Sequence, residues 1–152
     1  MRVSAKVDYA VRAGAELAAA AGSGPVKGDS IARAQGIPLK FLENILLDLK
    51  HAGLVQSQRG AEGGYWLAHP ADEITVADVI RAVDGPLANV RGVRPESVEY
   101  AGSAKHLLEV WVAVRASLRN VLERVTLADL VAGSLSKQIH ELTDDPEAWL
   151  SH

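Results

Sequence analysis

The sequence predicts a mainly α-helical chain with one small β-hairpin wing, and three observations carry the prediction. Apolar residues recur at helical spacing through most of residues 3–51. Residues 53–67 (Gly53-Leu54-Val55 through Gly64-Tyr65-Trp66-Leu67) then read as strand, reversal and strand, with Arg59 and the glycines Gly60, Gly63 and Gly64 at the reversal. Residues 103–125 finally form a long amphipathic run. A compact helix, turn and helix followed directly by a cationic hairpin is a winged helix-turn-helix arrangement, and the later helix is its dimerisation helix.

The elements follow in order. Ser4 suits an N-cap, and Val3, Val7, Ala10, Val11, Leu17, Ala18 and Ala21 lie on one stripe of a first helix. Gly14 falls on the same stripe; it weakens the helix but lets a neighbour pack close. Gly22-Ser23-Gly24-Pro25 ends it. A short second helix is expected from about Asp29 to Gln35, stopped by Gly36. Pro38 suits the first position of a third helix, where its missing N–H costs nothing. Leu42, Ile45, Leu46 and Leu49 form that helix's inner face, and Lys40, Glu43, Asn44, Leu47, Lys50 and His51 its outer face.

After the hairpin, Asp72 to Asp84 reads as a helix with Thr75 as cap and Val76, Val79, Ile80 and Val83 inward. Residues 84–102 have no clear period and hold two prolines and three glycines, so a long loop is expected, and such loops are usually functional. Ser103 is the expected cap of the long helix. Its residues Leu107, Trp111, Val114, Leu118, Val121 and Val125 alternate four and three apart, the spacing of a coiled-coil seam. A central helix in a monomeric core is the alternative. Thr126 caps a last short helix to about Leu135. The expected division is therefore a DNA-binding domain over 1–83, a linker or sensing loop over 84–102, dimerisation helices over 103–135 and a polar tail over 136–152.

The net charge of −3 looks unsuited to a nucleic-acid partner until it is divided. Residues 1–60 carry 8 Lys/Arg and 5 Asp/Glu, for +3, whereas residues 61–152 carry 8 and 14, for −6. A mildly basic front on an acidic back fits DNA contact through one face, although +3 over sixty residues is also compatible with chance. No apolar run reaches the roughly 18 residues needed to span a bilayer. A cytoplasmic protein without membrane contact is expected. There is no cysteine, which excludes disulfides, thiolate chemistry and cysteine-ligated metal centres. No nucleophile triad, phosphate loop or carboxylate pair stands out, and the five histidines are scattered, so neither an enzyme nor a metal site is expected.

Several segments occur in the order and spacing of a known family: Met-Arg-Val-Ser at the start, Asp8-Tyr9-Ala10-Val11-Arg12, Gly36-Ile37, Phe41-Leu42-Glu43, Gly53-Leu54-Val55, Arg59-Gly60, Gly63-Gly64-Tyr65 and Thr126-Leu127-Ala128-Asp129-Leu130. Over residues 1–135 the chain resembles the Rrf-two family of bacterial winged-helix transcription factors, which includes IscR, NsrR and CymR. The resemblance implies a homodimer with crossed long helices that reads double-stranded DNA, more often as a repressor. Founding members hold an iron–sulfur cluster through three cysteines in the loop before the long helix. This chain has none there, so such a cluster is chemically impossible and no cofactor is expected. In this respect it is closer to the cluster-free CymR branch, which is controlled by a partner protein.

Carried onto this sequence, the family's base-reading positions are Pro38, Lys40 and Glu43, with Asn44 adjacent. Lys40 can donate to guanine or phosphate, and Glu43 can accept from a cytosine amine or simply pair with Lys40 or Lys50. Many members carry small hydroxyl residues at 38 and 40, so no operator sequence is implied. Arg59 suits a narrow minor groove, with Gly60, Gly63 and Gly64 allowing close approach; a solvated turn arginine is the alternative. Glu62 at the tip is unexpected beside phosphates. Arg2, Lys6 and Lys50 are candidate phosphate contacts. Asp8 stands where some cluster-binding relatives use an aspartate ligand, and could equally pair with Arg12. For an unidentified small-molecule effector, Arg91 and Arg94 could grip a carboxylate or phosphate, with Tyr100 and Trp111 lining the same pocket. Exposed loop arginines are the plainer reading. The competing expectation for the whole chain is a protein-interaction module that controls, or is controlled by, a partner enzyme.

Overall fold

The computed structural model describes all 152 residues as seven α-helices and one two-stranded antiparallel sheet. Helix α1 (Ala5–Ala19) is started by Ser4, whose hydroxyl accepts from the Val7 N–H at 3.2 Å. Val7, Ala10 and Leu17 of the stripe are buried, with Ala13 beside them, whereas Val3 precedes the helix and Ala21 follows it, and both are exposed. Helix α2 (Gly28–Gln35) ends at Gly36, whose φ of 62° lets the chain turn into buried Ile37. Helix α3 (Leu39–His51) buries Leu42, Ile45, Leu46 and Leu49. Pro38 is not its first residue but its N-cap: ψ of 125° keeps it extended while its carbonyl accepts from the Leu42 N–H.

Strands β1 (Val55–Gln58) and β2 (Gly64–Leu67) pair with Val55 opposite Leu67 and Gln58 opposite Gly64. Val26 adds a bridge to Tyr65, exchanging both N–H···O bonds at 2.8 Å, so the wing is fixed on the segment before α2. This approach explains Gly64, since a Cβ there would lie 2.6 Å from the Val26 carbonyl oxygen. At Gly63 a Cβ would meet the Gln58 carbonyl oxygen at 2.1 Å. Both glycines are therefore required by the chain's own backbone.

Helix α4 (Val76–Asp84) opens with a reciprocal capping box between Thr75 and Asp78. Helix α5 (Leu107–Leu122) is shorter than its amphipathic run suggests. Ser103 does not cap it; it lies in a 3-10 turn (Gly102–Ala104) entered through Gly102 at φ 59°, and His106 holds the cap position. Helix α6 (Leu127–Ala132) repeats the capping box with Thr126 and Asp129, and Gly133 in the left-handed region stops it short of Leu135.

The two capping boxes lie side by side through a Thr75–Thr126 bridge, in which Val76 N–H donates to Val125 O and Leu127 N–H to Ile74 O. This bridge removes Val125 from the expected seam: it lies beyond α5 and is buried within its own chain. It also delivers Leu127, 1% exposed, against α1, where a Cβ on Gly14 would stand 3.2 Å from Leu127 Cδ1. Helix α6 thus completes the core of α1, α3 and α4 rather than belonging only with α5. Residues 136–152 are not simply a polar tail. Ser136 caps helix α7 (Lys137–Thr143), and Trp149, in a following 3-10 turn, donates its indole N–H to Thr143 O at 2.6 Å.

Candidate nucleic-acid interface

The outer side of α3 and the inner side of the wing enclose a concave surface of about 560 Å³. Glu43, Asn44, Leu47 and Lys50 face it from α3, and Ser57, Arg59 and Gly60 from the wing. Helical geometry places residues 43, 44, 47 and 50 on one face because the opposite face is committed to the core. Lys50 reaches across and donates to Ser57 Oγ at 2.8 Å. Lys27, just before α2, donates from Nζ to Gly60 O at 2.8 Å and so holds the wing's tip. Lys27 and Ser57 were not legible as site residues, because their roles depend on where the wing folds, over the start of α2 for Lys27 and against the end of α3 for Ser57.

Arg59 is exposed and takes part in none of the chain's ion pairs. A free guanidinium at the tip of a tethered hairpin can enter a groove without first breaking an internal contact. Gly60 beside it has φ of 104° and no neighbour within 4 Å of a built Cβ, so it alone of the three wing glycines faces open space. Lys40 is exposed at the start of α3 with Leu39 and Phe41. Of the exposed apolar side chains of α3, Leu47 borders the concave surface, whereas Phe41 packs edge-on against Tyr9 of α1, with ring centroids 5.6 Å apart.

The other expected residues are distributed differently. Lys6 pairs with Asp48 of α3 at 2.8 Å, which links α1 to α3. Asp8 pairs with Arg12 at 3.0 Å, and the same guanidinium donates to Gln35 O at 2.7 Å and lies over the Tyr9 ring. Arg2 lies away from the α3–wing surface, at an open groove of about 570 Å³ bounded by α4, α5 and the 84–102 loop. Arg91 borders that groove too, as do Trp111, Val114 and Leu118 of the seam.

Arg91 and Arg94 do not converge. Arg91 and Gly92, at φ 54° and 81°, make a tight turn between bridged Val90 and Val93, which sends Arg94 to a separate hollow. Tyr100 accepts the Trp111 indole N–H at 3.0 Å but does not border the groove, so the two do not line one pocket with the loop arginines. Leu107 and Val121 are half-buried, and no residue of α5 is fully buried.

The profile of the Rrf2 (Rrf-two) family, described as "Iron-dependent Transcriptional regulator", matches residues 3–133. A protein of Mycobacterium tuberculosis, Rv1287, bearing the name of an HTH-type transcriptional regulator, is 51% identical over 148 residues, covering 97% of this chain and 92% of that protein. The structure of CymR, described as the global cysteine regulator of B. subtilis, superposes with a TM-score of 0.74 at 36% identity, covering 88% of this chain and 98% of that one. That of T. potens IscR does so with a TM-score of 0.68 at 36% identity, covering 100% and 93%. The iron in the family's description finds no matching donors here. The chain has no cysteine, and nowhere do three His, Asp or Glu side chains converge as a metal site requires. A winged helix-turn-helix fold with a cationic, tethered wing, and relatives along nearly its whole length, show that the chain belongs to the Rrf2 family and is a DNA-binding transcriptional regulator.

Proposed function

We propose that the chain is a non-catalytic, cytoplasmic, homodimeric repressor that reads a pseudo-palindromic operator without an iron–sulfur cluster, its signal entering through residues 84–102. The observation that carries the reading is the state of α5. It is a 16-residue helix dominated by apolar side chains, yet none is fully buried, and Val110 is 51% exposed. The groove beside it, bordered by Trp111, Val114 and Leu118, is open. Such a helix needs a second apolar surface, and an equivalent helix on a second copy supplies one by symmetry. Two α3 helices would then enter successive major grooves, about one DNA turn of 34–36 Å apart. The alternative of a pure protein-interaction module is not favoured, because the relatives are transcriptional regulators.

Sedimentation velocity of the full chain tests the assembly. The wild type should sediment as a dimer at micromolar concentration, and Val110→Asp should shift it towards monomer and weaken specific DNA binding. A wild-type monomer that binds specific DNA without cooperativity would overturn the dimeric reading.

A further inference from the structure

We propose that the hollow between α4, the 84–102 loop and α5 binds a small polyanion bearing carboxylate or phosphate groups, and that this anion is the regulator's signal. The inference rests on the reading that the signal enters through this loop. The hollow measures about 370 Å³, within the range of small-ligand sites. Four arginines border it: Arg81 from α4, Arg94 from the loop, and Arg115 and Arg119 from α5. Only one carboxylate, Glu96, shares the lining.

The chain compensates this charge incompletely. Arg115, the least exposed of the four, is held by Glu96, whose carboxyl lies below the usual range because of its own backbone hydrogen bond and then Arg115. Arg81 pairs with Glu123 and lies 3.9 Å from Asp78, while Arg119 lies 3.9 Å from the same Glu123. Four cations thus meet three carboxylates, and Arg94 has no ion-pair partner. Planar guanidiniums carried by three separate elements suit bidentate contact with carboxylate or phosphate oxygens. Gly85 and Pro86 give the hollow a backbone wall without a large side chain.

The position explains how occupancy would be felt. Val79 and Val83 on the inner side of α4 belong to the same core as α1 and α3, so α4 is fixed to the reading head. An anion shared by Arg81, Arg94 and Arg115 would clamp α5 and the loop to that head, changing the angle at which paired heads are presented. The hollow shares no residue with the α3–wing surface, so the two sites can be separated by mutation.

Isothermal titration calorimetry of the full chain without DNA, at constant ionic strength, tests the site with pyrophosphate and citrate as probes and chloride as control. At least one probe should bind saturably, and Arg94→Gln should weaken it about tenfold or more, the loss expected from one charge-assisted contact. The thermal midpoint of the ligand-free protein should not change. Absence of saturable binding by both probes, or equal affinity in Arg94→Gln, would overturn the proposal and leave a self-neutralised ion-pair network. If Arg94→Gln instead weakened DNA binding while neither probe bound, the hollow would be a phosphate-backbone contact, which also overturns it. In each case DNA binding by the wild type is measured separately, so failure of the anion site leaves the regulator reading standing.

Discussion

Lys50 and Ser57 are hydrogen-bonded at 2.8 Å, so the last turn of α3 is tied directly to the first strand of the wing. The contact bridges the helix and the hairpin, and Lys27 holds the wing's tip from the other side through Gly60. Ser57→Ala removes the tether and leaves the Lys50 cation in place. It should weaken specific DNA binding modestly, by about 0.5–1.5 kcal/mol, with an unchanged salt dependence. Lys50→Met removes cation and tether together, and should also flatten the salt dependence; anisotropy titrations at two salt concentrations distinguish the two variants.

Within the wing, the glycines should separate into two classes. Gly64→Ala places a methyl against the Val26 carbonyl and strains a residue at φ 148°. A loss of at least about 1–3 kcal/mol in urea denaturation is expected, with the hairpin displaced. Gly60→Ala meets nothing within 4 Å, and should cost only the smaller left-handed penalty of about 1–2 kcal/mol. Equal losses would contradict the assignment of Gly64 to the Val26 bridge.

Leu127 links the far end of the chain to the DNA-binding core. It is 1% exposed and packs on the site that Gly14 leaves open on α1. Leu127→Ala should therefore destabilise the fold by about 2–5 kcal/mol, as other core truncations do. Wild-type stability in that variant would show that α6 belongs outside this core.

Glu96 gives a pH prediction. Its carboxyl is held below the ordinary range by its backbone hydrogen bond and by Arg115, so its folded-state value lies below its unfolded one. The stabilisation is complete above the unfolded value and is lost as pH falls through the folded value. The difference in urea midpoint between wild type and Glu96→Gln should be largest at neutral pH and shrink in acid. A difference independent of pH would remove the carboxylate from the account.

How much of this was legible in the sequence depended on the range of the interaction. Leu42, Ile45, Leu46 and Leu49 are buried together because a 3.6-residue period records one neighbouring surface. The Ser4, Thr75 and Thr126 caps were visible for the same reason, since each closes on a residue three positions away. Val125 continues the spacing of the α5 seam, but its carbonyl accepts from Val76, nearly fifty positions earlier in the chain, a contact that no local period records. The Arg81, Arg94, Arg115 and Arg119 hollow left no sequence signature, since its members lie on three separate elements. Conversely, Arg91 and Arg94 looked paired at a spacing of three, but a tight turn at Arg91 and Gly92 parts them.

Arg59 and the outer face of α3 are proposed to read DNA together. The most direct test is selection of bound duplexes from a random pool, followed by anisotropy titration of the recovered sequence with wild type, Arg59→Ala and Asn44→Ala. The account predicts a two-fold related consensus with half-sites about one helical turn apart, and losses on the order of 1–3 kcal/mol for each variant. Recovery of no consensus, or undiminished binding by both variants, would contradict it.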